Sequence, residues 1–240
     1  QLVVTHGEVG EVSKVGMAVG TSISVTELFA VTPARKKFLK KPATELQKVL
    51  AVLIPIMTAN PQVRFSLTNN DKELVAVSAQ TAAERIESLF SIRSQLLFEV
   101  QHEDTHYKLR GHLGAPQLAN KNKQRQLLFV NGRPVQRADI AALVKQIYGT
   151  LLEPRTYPVY VLHLEVPQEM VDVNITPKKD TVSFYNEGSV RKLITNAIQE
   201  VLEREDLHYA SHGQGLDSLL RDNTMEEVTA AVLRADVDPW

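Results

Sequence analysis

The chain has 240 residues, 43% of them hydrophobic, with a net charge of −1 at pH 7 and no cysteine. That length suits one large domain or two small ones, and the apolar fraction is enough for a real core. The absence of cysteine excludes disulfides and thiolate metal sites, and no run of roughly 18 apolar residues is present to span a bilayer as a helix.

The first residue is Gln1, nothing near it resembles a signal peptide, and the chain reads as a piece of something longer. Residues 1–12 read as a strand hairpin turning around Gly7. From Gly20 to Phe29, apolar Ile23 and Val25 alternate with polar neighbours, the pattern of a strand running into a turn. Thr32 followed by Pro33 has the start chemistry of a helix, with Phe38 and Leu39 as its apolar points. A second helix is expected over roughly 43–58 and contains Pro55.

Residues 63–69 and 73–79 read as two strands of a hairpin, followed by a helix over 81–90 with Ala82, Ala83, Ile86, Leu89 and Phe90 on one side. Strands are expected at 96–101, 107–114 and 126–132. A helix over 139–148 places Ile140, Leu143, Val144 and Ile147 at i, i+3, i+4, i+7. Two more strands, 157–166 and 170–176, precede a last helix over 188–203. The class is α/β, sheets with helices covering them. Residues 206–240 have weak periodicity and read as a linker or tail.

Charge is unevenly spread. From Gln199 onward ten acidic residues face three basic ones, a net of −7, which leaves +6 on the body. A mildly basic body suits a polyanion partner. Arg35, Lys36, Lys37, Lys40 and Lys41 crowd one short helical segment, either a solvated face or a phosphate-binding surface. Lys121, Lys123, Arg125, Arg133 and Arg137 fall on a loop, a strand end and a helix start, with Lys145 further along that helix. Asn131-Gly132 is a turn signal beside Arg133. The stretch "HEDTH" (102–106) matches the H-E-x-x-H zinc pattern, which needs both histidines on one helix face. Here it lies between two strand-like runs and reads as a hairpin turn, so no metal site is assigned. In "VDVNITPKKDTVSF" (171–184), alternation ends at Pro177 and two lysines come next. Proline fixes the backbone and ends pairing, so Lys178 or Lys179 stands on a rigid mount, free in water or held against a ligand phosphate.

Three stretches together resemble the MutL-type DNA mismatch repair proteins. "VGTSISVTELFAVTPARKKFLK" (19–40) is similar to their G-T-x-[VIL]-x-V-x-x-L-F-x-x-[TL]-P-[AV]-R-x-K-F segment. "FVNGRPV" (129–135) is similar to their F-[VI]-N-x-R segment, and "VDVNITPKKDTVSF" to their V-D-V-N-[VI]-x-P-x-K segment. Order and distances fit, over about residues 1–203. The resemblance implies an α+β arrangement: residues 1–45 as the end of a GHKL-type ATPase sandwich, 46–205 as a transducer domain of the ribosomal-protein domain-2-like fold, and 206–240 as an acidic linker.

The same resemblance implies roles. Lys179 matches the transducer lysine that reaches the terminal phosphate of ATP, and Gly20 and Thr21 match the last nucleotide-site motif. Arg133 and Arg137 lie on the segment that carries DNA-binding basic residues, although one DNA-linked arginine of bacterial relatives aligns with Ala138. The implied function is an ATP-dependent matchmaker or clamp that binds duplex DNA. It would work as a homo- or heterodimer with a mismatch-recognition protein and downstream repair factors, and without a membrane. The expected place is cytoplasm or nucleoid in a bacterium or archaeon, and the nucleus in a eukaryote.

The family's catalytic glutamate, magnesium-binding asparagine and glycine-rich lid match nothing in these residues. The complete protein is therefore expected to use ATP and Mg2+, and this chain alone to bind neither and to turn over no ATP. Three alternatives stay open: the transducer of a type II topoisomerase-like ATPase, an interaction scaffold without nucleotide function, and an unrelated RNA-binding α/β domain.

Overall fold

The computed structural model describes residues 1–172 and 181–205. The chain divides into two compact units, residues 1–48 and the described residues from 49 onward. Pro177, Lys178, Lys179 and the acidic segment 206–240 lie outside the described residues.

In the first unit, β1 (Val4–Thr5) and β2 (Glu8–Val9) pair antiparallel. His6 and Gly7 between them take positive φ (57° and 91°), as a tight hairpin turn requires. The strand expected through Ile23 and Val25 does not form. Both side chains are largely exposed (83% and 73%), and no described strand pairs with them. Alternation marks a segment suited to a sheet, but a ladder also needs a neighbour. Helix α1 (Pro33–Lys36) is a single turn with proline at its start, and Thr32 makes no side-chain cap bond. No residue in 1–48 is buried. Helix α2 (Pro42–Ala59) is continuous through Pro55.

The second unit begins with the hairpin β3 (Phe65–Asn69) and β4 (Lys72–Val77), whose turn residues Asn70 and Asp71 both take positive φ. Helix α3 (Ala82–Phe90) starts with a full capping box. Thr81 Oγ1 accepts from the Glu84 amide, and the Glu84 carboxylate accepts from the Thr81 amide at 2.8 Å. Arg85, on α3, is completely buried, with no ion pair among the described residues. Its guanidinium donates to the carbonyls of Met57, Asn60, Pro61, Val63 and Ser78 at 2.7–3.3 Å. One cation thus holds the end of α2, the adjoining loop and the exit of β4 against α3.

The main sheet has the order β5-β6-β9-β7-β8, with β5 (Leu97–Glu103), β6 (Lys108–Gly114), β7 (Gln126–Val130), β8 (Arg133–Val135) and β9 (Tyr160–Glu165). β7 and β9 are parallel and the other pairs antiparallel. The parallel pair needs a crossover, and α4 (Ala138–Tyr148) supplies it. Alternation sorts the two faces. Leu109, Leu128, Val130, Leu162 and Leu164 point into the larger core with Ile140 and Val144 of α4 and the apolar stripe of α5 (Glu187–Arg204). Phe129 and Val161 face the other way and pack against Ile86 and Phe90 of α3. Gly111 sits between Val100 and Leu162 at φ 145°, and a Cβ there would overlap the Val161 carbonyl. Short strands β10 (Val171–Asp172) and β11 (Ser183–Phe184) pair antiparallel. Among the described residues, no helix is long and apolar enough to cross a membrane.

Candidate functional site

The loop between β6 and β7 is held in place rather than hanging free. Asn120 and Tyr157 exchange both backbone hydrogen bonds (2.9 and 2.7 Å). The Asn120 and Asn122 side chains each accept the amide two residues further on, at 3.3 and 3.1 Å. These are consecutive Asx-turns, and they explain the asparagines in N-K-N-K-Q-R. The Arg125 carbonyl accepts from the Tyr160 amide at 3.0 Å, tying the loop's end to β9. Lys121 and Lys123 are exposed and Arg125 is half-buried. Burial pulls the Arg125 guanidinium below its ordinary value, though it stays charged at any physiological pH.

Lys145 reaches this loop from the last turn of α4. Its ammonium lies 4.4 Å from the centre of the Tyr157 ring, and that of Lys123 lies 4.9 Å from the same ring. Among the described residues, neither lysine forms an ion pair. The sequence marked both lysines as basic residues but gave no sign of Tyr157, because nothing in its neighbours announces an aromatic platform.

Asn131 and Gly132 turn β7 into β8 with positive φ (49° and 79°). The Asn131 side chain also donates to the Val166 carbonyl and accepts from the Val166 amide, both at 2.9 Å. This asparagine is therefore a hook onto the chain just past β9 as well as a turn residue. Arg133 lies two residues on, exposed at the start of β8.

Arg137 is placed differently from the other cations. It is 10% exposed and grips Asp139 through two bonds of 2.8 Å. It also reaches Glu187 at 2.7 Å and the Val182 carbonyl at 2.9 Å, and lies over the Phe184 ring. Four of its five N–H donors are thus used inside the protein. Its hydrogen bond holds the Asp139 carboxyl below the usual range. Glu187 in turn accepts from the Phe184 amide at 3.0 Å. The network fixes β11, the strand that resumes four residues after Lys179. Asp139, two residues from Arg137, was a partner within sequence reach, whereas Glu187 was not.

Gly20 and Thr21, in the first unit, are exposed, and a Cβ at Gly20 would meet nothing within 4 Å. The stretch 102–106 is the expected strand–turn–strand. Asp104 Oδ1 accepts from the amides of His106 and Tyr107, and His102 Nδ1 lies 3.2 Å from Glu200. Among the described residues, no three His, Asp or Glu side chains are gathered to hold a metal ion.

The profile of the family described as "DNA mismatch repair protein, C-terminal domain" matches residues 88–203. The chain is 34% identical to the DNA mismatch repair protein MutL of Methanoculleus marisnigri, over 98% of this chain and 39% of that one. It is 36% identical to MutL of Bradyrhizobium diazoefficiens, over 88% of this chain and 36% of that one. It therefore spans little more than a third of the length of these relatives. Among solved structures, the ATPase domain of the mismatch repair endonuclease MutL of Aquifex aeolicus matches with a TM-score of 0.59 at 28% identity, covering 82% of this chain and 69% of that one. The same organism's MutL ATPase domain complexed with ADP matches with a TM-score of 0.56 at 28% identity, covering 69% of this chain and 61% of that one.

Proposed function

The chain belongs to the MutL family of DNA mismatch repair proteins, and from that premise we propose that it is the DNA-contacting and phosphate-sensing part of an ATP-dependent repair clamp. Lys121, Lys123, Arg125, Arg133 and Lys145 neutralise backbone phosphates of duplex DNA. The observation that carries this reading is the convergence of Lys123 and Lys145 on one ring, neither with an ion-pair partner among the described residues. Arg137 serves the same region from inside, as the staple that fixes the start of α4 and β11.

The second half of the proposal concerns ATP. Lys179 senses its terminal phosphate, and Gly20 and Thr21 line the nucleotide pocket. The ADP complex of the Aquifex aeolicus relative favours nucleotide binding by the complete protein. ATP binding would close the paired subunits, which then engage a mismatch-recognition protein and downstream factors. Mg2+ would accompany the nucleotide in the complete protein.

Duplex binding measured by fluorescence anisotropy at roughly 50 and 200 mM salt tests the first half, with about five contacts predicting a loss of a few hundredfold. Equal affinity at the two concentrations overturns it. Lys179→Met in the full-length protein tests the second half, with slower ATP turnover and impaired closure as the expected result. An unchanged rate together with unchanged closure overturns it.

A further inference from the structure

We propose that Lys123, Tyr157 and Lys145 form a discrete phosphate clamp in which Tyr157 is the positioning residue, its ring holding two ammonium groups ready for one anion. The inference rests on the nucleic-acid reading above for the source of that phosphate, and it goes beyond it by naming the aromatic that builds the site.

Three features point the same way. The ring's mount is rigid. Tyr157 exchanges two backbone bonds with Asn120, precedes the buried chain from Pro158 onward and adjoins Thr156, whose hydroxyl donates to the Glu153 carbonyl at 2.7 Å. The two cations arrive from separate elements, Lys123 from the β6–β7 loop and Lys145 from α4, so local sequence does not force them together. The charges are also left uncompensated, since neither lysine has an ion-pair partner among the described residues.

The plain alternative is that the lysine stems merely cover an aromatic face and that Lys145 complements the C-terminal end of the α4 dipole. One lysine would suffice for either purpose. A second ammonium at the same ring adds repulsion that the ring's quadrupole offsets only in part. An arriving phosphate oxygen removes that repulsion and gains a charge-assisted bond from each side. The clamp thus becomes more favourable once an anion sits in it.

The test uses the full chain and its variants Tyr157→Phe, Tyr157→Leu, Lys123→Gln and Lys145→Gln. Duplex affinity is followed from roughly 50 to 200 mM salt, with thermal melting to verify folding. Each lysine variant lowers the magnitude of the salt slope by about 1. Tyr157→Leu weakens binding about fivefold and flattens the slope, whereas Tyr157→Phe, which keeps the ring, matches the parent. In parallel, NMR follows the Tyr157 ring and the two lysine side chains during titration with inorganic phosphate and with the duplex. Movement with inorganic phosphate supports a general phosphate site, and movement with the duplex alone supports one built for the DNA backbone. If neither probe moves these signals, the clamp is overturned even if DNA binding itself is absent. Salt-dependent binding by the parent, matched by all four variants, overturns the clamp while leaving the DNA-binding reading intact. Loss of salt dependence in the parent sinks that reading, and the phosphate titration then decides the clamp alone. If Tyr157→Leu melts well below the parent, the lysine variants, which leave the ring in place, carry the decision.

Discussion

Replacing Arg137 with methionine separates a structural cation from a DNA contact. Methionine keeps the length and apolar stem of the side chain while removing every donor. The guanidinium is 10% exposed, but Asp139 and Glu187 are each 43% exposed, so both carboxylates regain water once it is gone. Their bonds are therefore worth about 0.5–1 kcal/mol each rather than the full value of a buried pair. The Val182 carbonyl, in a residue only 2% exposed, loses its charged donor and adds about 1 kcal/mol. Arg191, 3.6 Å from Asp139, recovers a little of the loss. The total is about 2–3 kcal/mol, or a fall in melting temperature of about 5–10 °C for a unit of this size. Urea unfolding followed by circular dichroism gives the first quantity, and duplex binding against salt gives a second. With four of five donors committed inside the protein, Arg137→Met leaves the salt slope as it was. A stability change under about 0.5 kcal/mol, with the slope reduced by about 1, would refute the staple and make Arg137 a phosphate contact.

Arg85→Met strands five backbone carbonyls at once, one of them in a fully buried environment. It should cost about 4 kcal/mol in urea unfolding, and a loss below about 1 kcal/mol would mean that water replaces the guanidinium easily. His163, stacked on Phe129 with centroids 4.5 Å apart, is pulled down to about 4, first by burial and then by the charges of Arg110 and His112. Its folded value lies below its unfolded one, so the stability it contributes is complete above about pH 6.5 and drains away as pH falls towards 4. After discounting for its partial exposure, that amounts to about 2 kcal/mol between pH 7 and 4.5, absent from His163→Phe, and equal acid sensitivity of the two proteins would contradict it. Gly111→Ala places a methyl against the Val161 carbonyl at a φ that disfavours side chains and should cost about 3 kcal/mol or prevent folding, whereas a neutral effect would mean β6 and β9 can part there.

Much of the second unit was legible because its periodicities are backed by burial on both sides. Ile140 and Val144 read as one helix face from spacing alone and are core. The turn at Asn131-Gly132 was local chemistry, which a sequence displays directly. The strand through Ile23 and Val25 failed for the opposite reason, since its pattern was right but pairing is not a local property. Arg85 was invisible because its partners are carbonyls, which every residue carries. The candidate site was legible as a set of cations, but not as an arrangement. Nothing in the spacing of Lys123, Lys145 and Tyr157 says that they meet, and nothing in R-A-D says that Glu187, fifty residues on, closes the same network.

The segment from Phe129 to Lys145 concentrates several structural tasks. Phe129 anchors one face of the sheet, while Val130, Ile140 and Val144 anchor the other. Asn131 hooks the end of β7 to Val166, and Arg137 staples α4 to β11. From the same stretch Arg133 is exposed and Lys145, half-buried, reaches the Tyr157 ring. On the proposed DNA reading, a substitution here that loosens packing weakens binding even where it removes no phosphate contact, because misplaced lysines lose the geometry proposed to make them act together. Affinity at one salt concentration cannot tell the two apart. The slope against salt can, since it reports how many counterions are released, and a residue that only supports the fold leaves that number unchanged while the surface stays intact. On that criterion Arg133 and Lys145 should change the slope, Asn131 and Arg137 the stability, and Tyr157 the slope through the lysines it holds.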